Sequence, residues 1–160
     1  MRERVLVLGL GNELFTDEGV GVVASRRIAE LDLTDTEVVD GGTLGLGLLP
    51  TIEGRDALLI LDAVVDSDLP PGSIVVYGGE DLRREARLLY SAHQLGVNEI
   101  LAAADLAGVT PSELAAVGMV PASVETGYGL TSTAEGALAE MVDAARRVLD
   151  GFATRTVARA

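Results

Sequence analysis

Glu18, Asp62 and His93 are the side chains whose types and placement could do chemistry in this sequence. Asp17 and Glu18 fall in the first turn of an expected helix, where the macrodipole stabilises carboxylates. Taken alone, that pair reads as helix caps. Asp62 directly follows the apolar run Ala57 to Leu61, at the carboxyl end of an expected buried strand. A carboxylate there is costly unless it is paired, hydrogen-bonded or liganding a metal. An Asx turn or a helix cap is the plainer alternative. His93 is the single histidine, set in Ser91-Ala92-His93-Gln94-Leu95-Gly96, a loop-like segment; a lone histidine is more often a surface or core residue than a ligand. Together the three supply two oxygens and one imidazole nitrogen. That set suits a borderline divalent metal such as nickel, zinc or cobalt, with coordination positions left open. Histidine ligates when neutral, and its unperturbed pKa of about 6.5 predicts weaker action below about pH 6.

Other arrangements fit less well. Gly9-Leu10-Gly11-Asn12 suggests a dinucleotide fingerprint, but Leu14 stands where its third small residue belongs. Gly19 to Ala24 has the right spacing yet does not directly follow a strand, and Asp17 and Glu18 would face the pyrophosphate. No serine sits in G-x-S-x-G, which leaves Ser91 or Ser123 with His93 and Asp62 as a merely formal triad. A two-carboxylate glycosidase would usually add aromatic platforms, and only 3% of the chain is aromatic.

Composition narrows the field further. The 160 residues carry 12 basic and 25 acidic side chains, a net charge of −13, so a nucleic-acid partner is not expected. All the basic residues are arginine, which removes the phosphate-loop lysine and the Schiff-base lysine. There is no cysteine, hence no disulfide, thiolate metal site or cysteine nucleophile within the chain. The opening Met1-Arg2-Glu3-Arg4 and Val5 to Gly11 fall short of a signal peptide. No segment approaches the ~20 apolar residues that span a bilayer, so no membrane partner and a cytoplasmic location are expected.

The elements that would position the candidate residues alternate. Strands are expected at Val5 to Leu8, Glu37 to Val39, Ala57 to Leu61, Ser73 to Tyr77 and Leu114 to Val120. Helices are expected from about Glu18 to Leu31, Leu44 to Ile52, Asn98 to Ala107, and from a capping box at Ser132-Thr133-Ala134-Glu135 onward. This β-α order predicts an α/β fold with a largely parallel sheet and ligand sites outside the strands' carboxyl ends. One domain over residues 1–150 is expected, followed by a frayed tail over 151–160 after Gly151.

Gly9-Leu10-Gly11-Asn12, Thr16-Asp17-Glu18-Gly19-Val20-Gly21, Asp40-Gly41-Gly42-Thr43, Leu61-Asp62-Ala63, His93-Gln94-Leu95-Gly96 and Gly129-Leu130-Thr131 form an ordered set over nearly the whole chain. Each is weak alone; in this order and spacing they resemble the nickel–iron hydrogenase maturation endopeptidase family. The resemblance implies a three-layer αβα sandwich around a twisted, mostly parallel five-stranded sheet. It implies removal of a C-terminal extension from the hydrogenase large-subunit precursor after nickel insertion. Positions matching Glu18, Asp62 and His93 bind the metal in that family, so these three are the expected catalytic and metal residues. The expected metal is nickel carried by the precursor; zinc or cadmium can occupy such ligands in vitro. Asn12, Asp17, Asp40 and Thr43 are candidates for the cleft lining. One departure is Thr126, where relatives often carry proline after the acid matching Glu125. The alternatives that stay open are an endopeptidase with its own zinc, a non-catalytic nucleotide- or metal-binding module, and a structural domain whose acids are caps.

Overall fold

A computed structural model describes residues 3–86, 89 and 96–159, with side chains to residue 155. Its elements are β1 (Val5–Leu10), α1 (Val20–Ala29), β2 (Thr36–Gly42), α2 (Leu49–Ile52), β3 (Ala57–Ala63), β4 (Ile74–Gly78), α3 (Gly79–Glu85), α4 (Val97–Ala107), β5 (Glu113–Met119) and α5 (Ser132–Arg159). Short 3-10 turns at Thr16–Gly19 and Gly45–Leu48 lead into α1 and α2.

The strands form one sheet in the order β2-β1-β3-β5-β4, parallel except for the antiparallel edge strand β4. Both faces are covered, which is why β1 and β3 read as unbroken apolar runs rather than alternating ones. On one face Leu59, Leu61 and Ala63 pack with Val20, Ala24 and Ile28 of α1 and with Leu138, Met141 and Phe152 of α5. On the other, Leu58, Ile60 and Val64 pack with Leu48, Ile52, Leu82 and Ile100. The three-layer α/β expectation is met, and the expected strands are all present with ends shifted by at most three residues.

Three local expectations are corrected. Asp62 does not follow β3; it is the sixth of the strand's seven residues, paired in register with Gly118 of β5. The first helix starts two residues late, because Thr16–Gly19 forms a 3-10 turn that carries Asp17 and Glu18. Gly151 is not a helix stop: α5 runs on to Arg159. Burying Phe152, only 1% exposed, is worth about 2–3 kcal/mol, whereas a mid-helix glycine costs about 1 kcal/mol. The apolar contact wins. α3 went unpredicted, since its acidic and basic residues give it almost no apolar stripe. Among the described residues, no helix is long and apolar enough to cross a membrane.

Candidate active site

The carboxyl ends of β1 and β3 are roofed by the turn that precedes α1, and glycines make that approach feasible. Gly11 has φ +128°, and a Cβ there would lie 1.9 Å from the carbonyl oxygen of Glu18. A Cβ at Gly21 would lie 2.1 Å from the carbonyl oxygen of Leu61 and 2.4 Å from that of Leu10. The G-x-G spacing therefore serves close backbone packing. It lets the Glu18 turn sit directly on the strand that carries Asp62.

Glu18 and Asp62 are both buried, at 2% and 3% exposure. Asp62 accepts a hydrogen bond from the backbone N–H of Ala63 at 2.8 Å. Burial pushes its carboxyl well above the usual carboxylate range; the Ala63 bond pulls it back, and the charge of Glu18 pushes it further up. The two acids thus share one electrostatic environment. Strand alternation places Asp62 with Leu58 and Ile60, on the side of the sheet that α2, α3 and α4 cover. Two buried, mutually repelling carboxylates at a strand edge fit a divalent cation, which would offset both the repulsion and the desolvation. His93 lies outside the described residues, as does Ser91. Among the described residues, no three His, Cys, Asp or Glu side chains are grouped to hold a metal ion.

The expected cleft residues divide. Asn12 and Thr43 stand on loops and Asp40 near the end of β2, all at the carboxyl ends of the strands, where Gly11 N–H donates to the Gly42 carbonyl at 3.0 Å. The Asn12 side chain accepts from Leu14 N–H at 3.0 Å in an Asx turn. Asp40 is half-exposed and pairs with Arg26 at 3.0 Å. Arg26 also clasps Glu13 through two bonds of 2.8 Å each. Asp17 is a correction: it is fully buried and turned inward, so it lines no cleft. Its oxygens accept from Ala122 N–H, Thr131 N–H and the Thr131 hydroxyl at 2.9, 2.7 and 2.7 Å. Ser123 makes a poor nucleophile here, because its hydroxyl accepts from Glu125 N–H at 3.2 Å within a turn.

Sequence reasoning gave Thr131 no role beyond its place in the Gly129-Leu130-Thr131 motif, and it missed Arg26. Thr131, not Ser132, caps α5, since its hydroxyl accepts from Ala134 N–H at 3.3 Å. The sequence signal was present, one residue before the S-x-x-E pattern. Arg26 carried none, because it reads as one more polar helix residue. A separate cavity of about 400 Å³ between β4, β5 and the end of α5, lined by Arg147, Phe152 and Arg155 among others, holds none of the candidate residues.

Residues 23–148 match the family model described as hydrogenase maturation protease. The chain is 38% identical over 134 residues to the hydrogenase 2 maturation protease of Escherichia coli K12, covering 82% of each. It is 36% identical over 160 residues to the hydrogenase expression/formation protein HupD of Rhizobium leguminosarum, covering 98% of this chain and 79% of that one. Among solved structures it resembles the hydrogenase maturating endopeptidase HybD of E. coli, with TM-score 0.83 and 34% identity over 94% of this chain and 93% of that one. The [NiFe] hydrogenase maturation protease HybD of Thermococcus kodakarensis gives TM-score 0.77 and 29% identity over 92% and 99%.

Proposed function

The chain belongs to the hydrogenase maturation protease family, and from that premise we propose that it removes a C-terminal extension from a hydrogenase large-subunit precursor that already carries nickel. The observation that carries this reading is the buried pair Glu18 and Asp62 at the carboxyl ends of the strands, where burial first and the charge of Glu18 after it raise the cost of ionising Asp62. A pair of that kind is poised for a cation and has little value as a cap.

In this reading Glu18, Asp62 and His93 join the coordination shell of the precursor's nickel. The chain has no cysteine, so any thiolate in that shell belongs to the precursor. Leu89 bridges to Val64, two residues beyond Asp62, so the chain passes this end of β3 four residues before His93. That passage supports His93 as the third ligand. The nickel is substrate cargo: it docks the precursor and sets its C-terminal segment against the rim. Hydrolysis then adds water across the scissile bond, its oxygen to the carbonyl carbon and a proton to the leaving nitrogen.

The test mixes chelator-stripped protein with nickel-loaded and nickel-free precursor and follows the precursor's mass. Loss of a C-terminal fragment from the loaded form alone is expected. Equal cleavage of both forms would end the nickel reading, and cleavage of the loaded form only after zinc is returned would favour a resident zinc.

A further inference from the structure

Asp17 does something the mechanism above does not use. It is fully buried, next to Glu18 in the chain, and among the described residues every donor its oxygens meet comes from the segment between β5 and α5, none of them an arginine. Oδ1 accepts from Thr131 N–H at 2.7 Å. Oδ2 accepts from Ala122 N–H at 2.9 Å, the Thr131 hydroxyl at 2.7 Å and, more weakly, Ser123 N–H at 3.4 Å.

The backbone reinforces the same junction. Asp17 N–H donates to the Ser123 carbonyl at 3.1 Å, Thr16 N–H to the Gly127 carbonyl at 2.8 Å, and Gly127 N–H to the Leu14 carbonyl at 2.8 Å. Thr16 adopts φ 49°, a left-handed conformation, and its hydroxyl donates to the Ser123 carbonyl at 2.7 Å. The turn carrying Glu18 is therefore gripped on one side by Gly11 and on the other by residues 122–131.

We propose that Asp17 is a positioning residue: it locks the segment 121–131 onto the Glu18 turn, and so fixes both the ligand and the wall the precursor meets. This rests on the reading that Glu18 contacts the substrate's metal. The chemistry demands a carboxylate. Both oxygens face donors, so an ionised acid accepts everywhere, while an amide would point its own N–H groups at N–H and O–H groups. The wall it holds presents Tyr128 to solvent, 79% exposed, next in the chain to Gly127, whose N–H donates to the Leu14 carbonyl.

The experiment measures steady-state cleavage of nickel-loaded precursor by Asp17→Asn, Thr131→Val, Thr131→Ser and Glu18→Gln, each scaled to its folded fraction by circular dichroism. Asp17→Asn is expected to raise KM about 10-fold or more with a smaller change in kcat, as loss of an outer support for a metal ligand does. Thr131→Val removes one of the bonds and should raise KM less; Thr131→Ser keeps the hydroxyl and should restore the parent value. Faster amide exchange at 122, 123 and 131 in Asp17→Asn should accompany the KM change. A KM in folded Asp17→Asn within threefold of the parent overturns the proposal, and so does Thr131→Ser behaving like Thr131→Val. Should Asp17→Asn not fold, the Thr131 pair decides. Glu18→Gln separates the two levels: if it cleaves normally, the metal reading fails; if it is inactive while folded Asp17→Asn is normal, only the positioning role fails.

Discussion

At the amino ends of β1, β2 and β3 a buried arginine is held by its own chain. The guanidinium of Arg55 donates to the carbonyls of Glu3 and Thr51 at 2.7 and 3.0 Å and pairs with Glu37. Arg4 closes the same end by pairing with Asp56. At the carboxyl ends the buried ionisable groups are three acids: Asp17 is held by donors from the segment before α5, whereas the described partner of Asp62 is one backbone N–H. One end uses buried charge to fasten strands together. At the other, burial and the charge of Glu18 make ionising Asp62 costly, which an incoming cation would offset. The contrast marks the carboxyl ends as the end to test for function.

The largest expected effect comes from breaking the functional end. Glu18→Gln or Asp62→Asn should lower cleavage of nickel-loaded precursor by more than about 100-fold, beyond the loss usual for an outer support, in a fold that circular dichroism finds intact. Cleavage within a few-fold of the parent would mean that both ends are structural and that the comparison has no functional content. The structural end should respond in the opposite way. Arg55→Met strands the carbonyls of Glu3 and Thr51 and the Glu37 carboxylate, at a cost of about 3 kcal/mol. That corresponds to a melting temperature lower by roughly 6–12 °C, with unchanged cleavage per folded molecule.

Much of this contrast was legible in the sequence, and the reasons differ by residue. β1 and β3 were readable because strands covered on both faces leave unbroken apolar runs. Asp62 was readable as an acid set where an acid is expensive, whereas Glu18, placed where a helix dipole stabilises a carboxylate, stood out only beside it. The ends of elements were not. Asp62 sits inside β3 because ladder pairing to Gly118 continues past the last aliphatic residue. Gly151 looks like a helix stop, yet Phe152 drops into the core one residue later and carries the helix on. The inward turn of Asp17 depends on Ala122 and Thr131, more than a hundred residues away, and no local pattern encodes a partner at that distance.

The pH dependence of stability sharpens the comparison from the carboxyl end. Burial, with a further push from Glu18, raises the Asp62 carboxyl in the folded state above its unfolded value of about 3.9. The folded chain then holds that proton more tightly than the unfolded one. The contribution is fully present below about pH 4 and is lost as pH rises through the folded-state value. Metal-free Asp62→Asn, whose amide oxygen can still accept from Ala63, escapes that loss. It should melt close to the parent near pH 4 and above it at pH 7. A variant that melts below the parent at pH 7 would show that the carboxylate stabilises the fold, making this end like the other.

The smallest effect concerns charge at the rim. Arg26 clasps Glu13 and Asp40, and so links the loop after β1, helix α1 and strand β2 around the candidate site. Its side chain is 52% exposed and Asp40 is 47% exposed, so solvent screens these pairs and Arg26→Ala should cost only about 0.5 kcal/mol. The melting temperature should fall by roughly 1–2 °C, less still in 1 M salt, where the screening length drops to about 3 Å. Cleavage should change less than threefold, because Gly11, Gly42 and the Asp17 junction already fix these loops through backbone bonds. A loss near that of Arg55→Met would place a structural ion cluster at the functional end too. The division between an edge that fastens and an edge that binds would then have to be redrawn around Arg26.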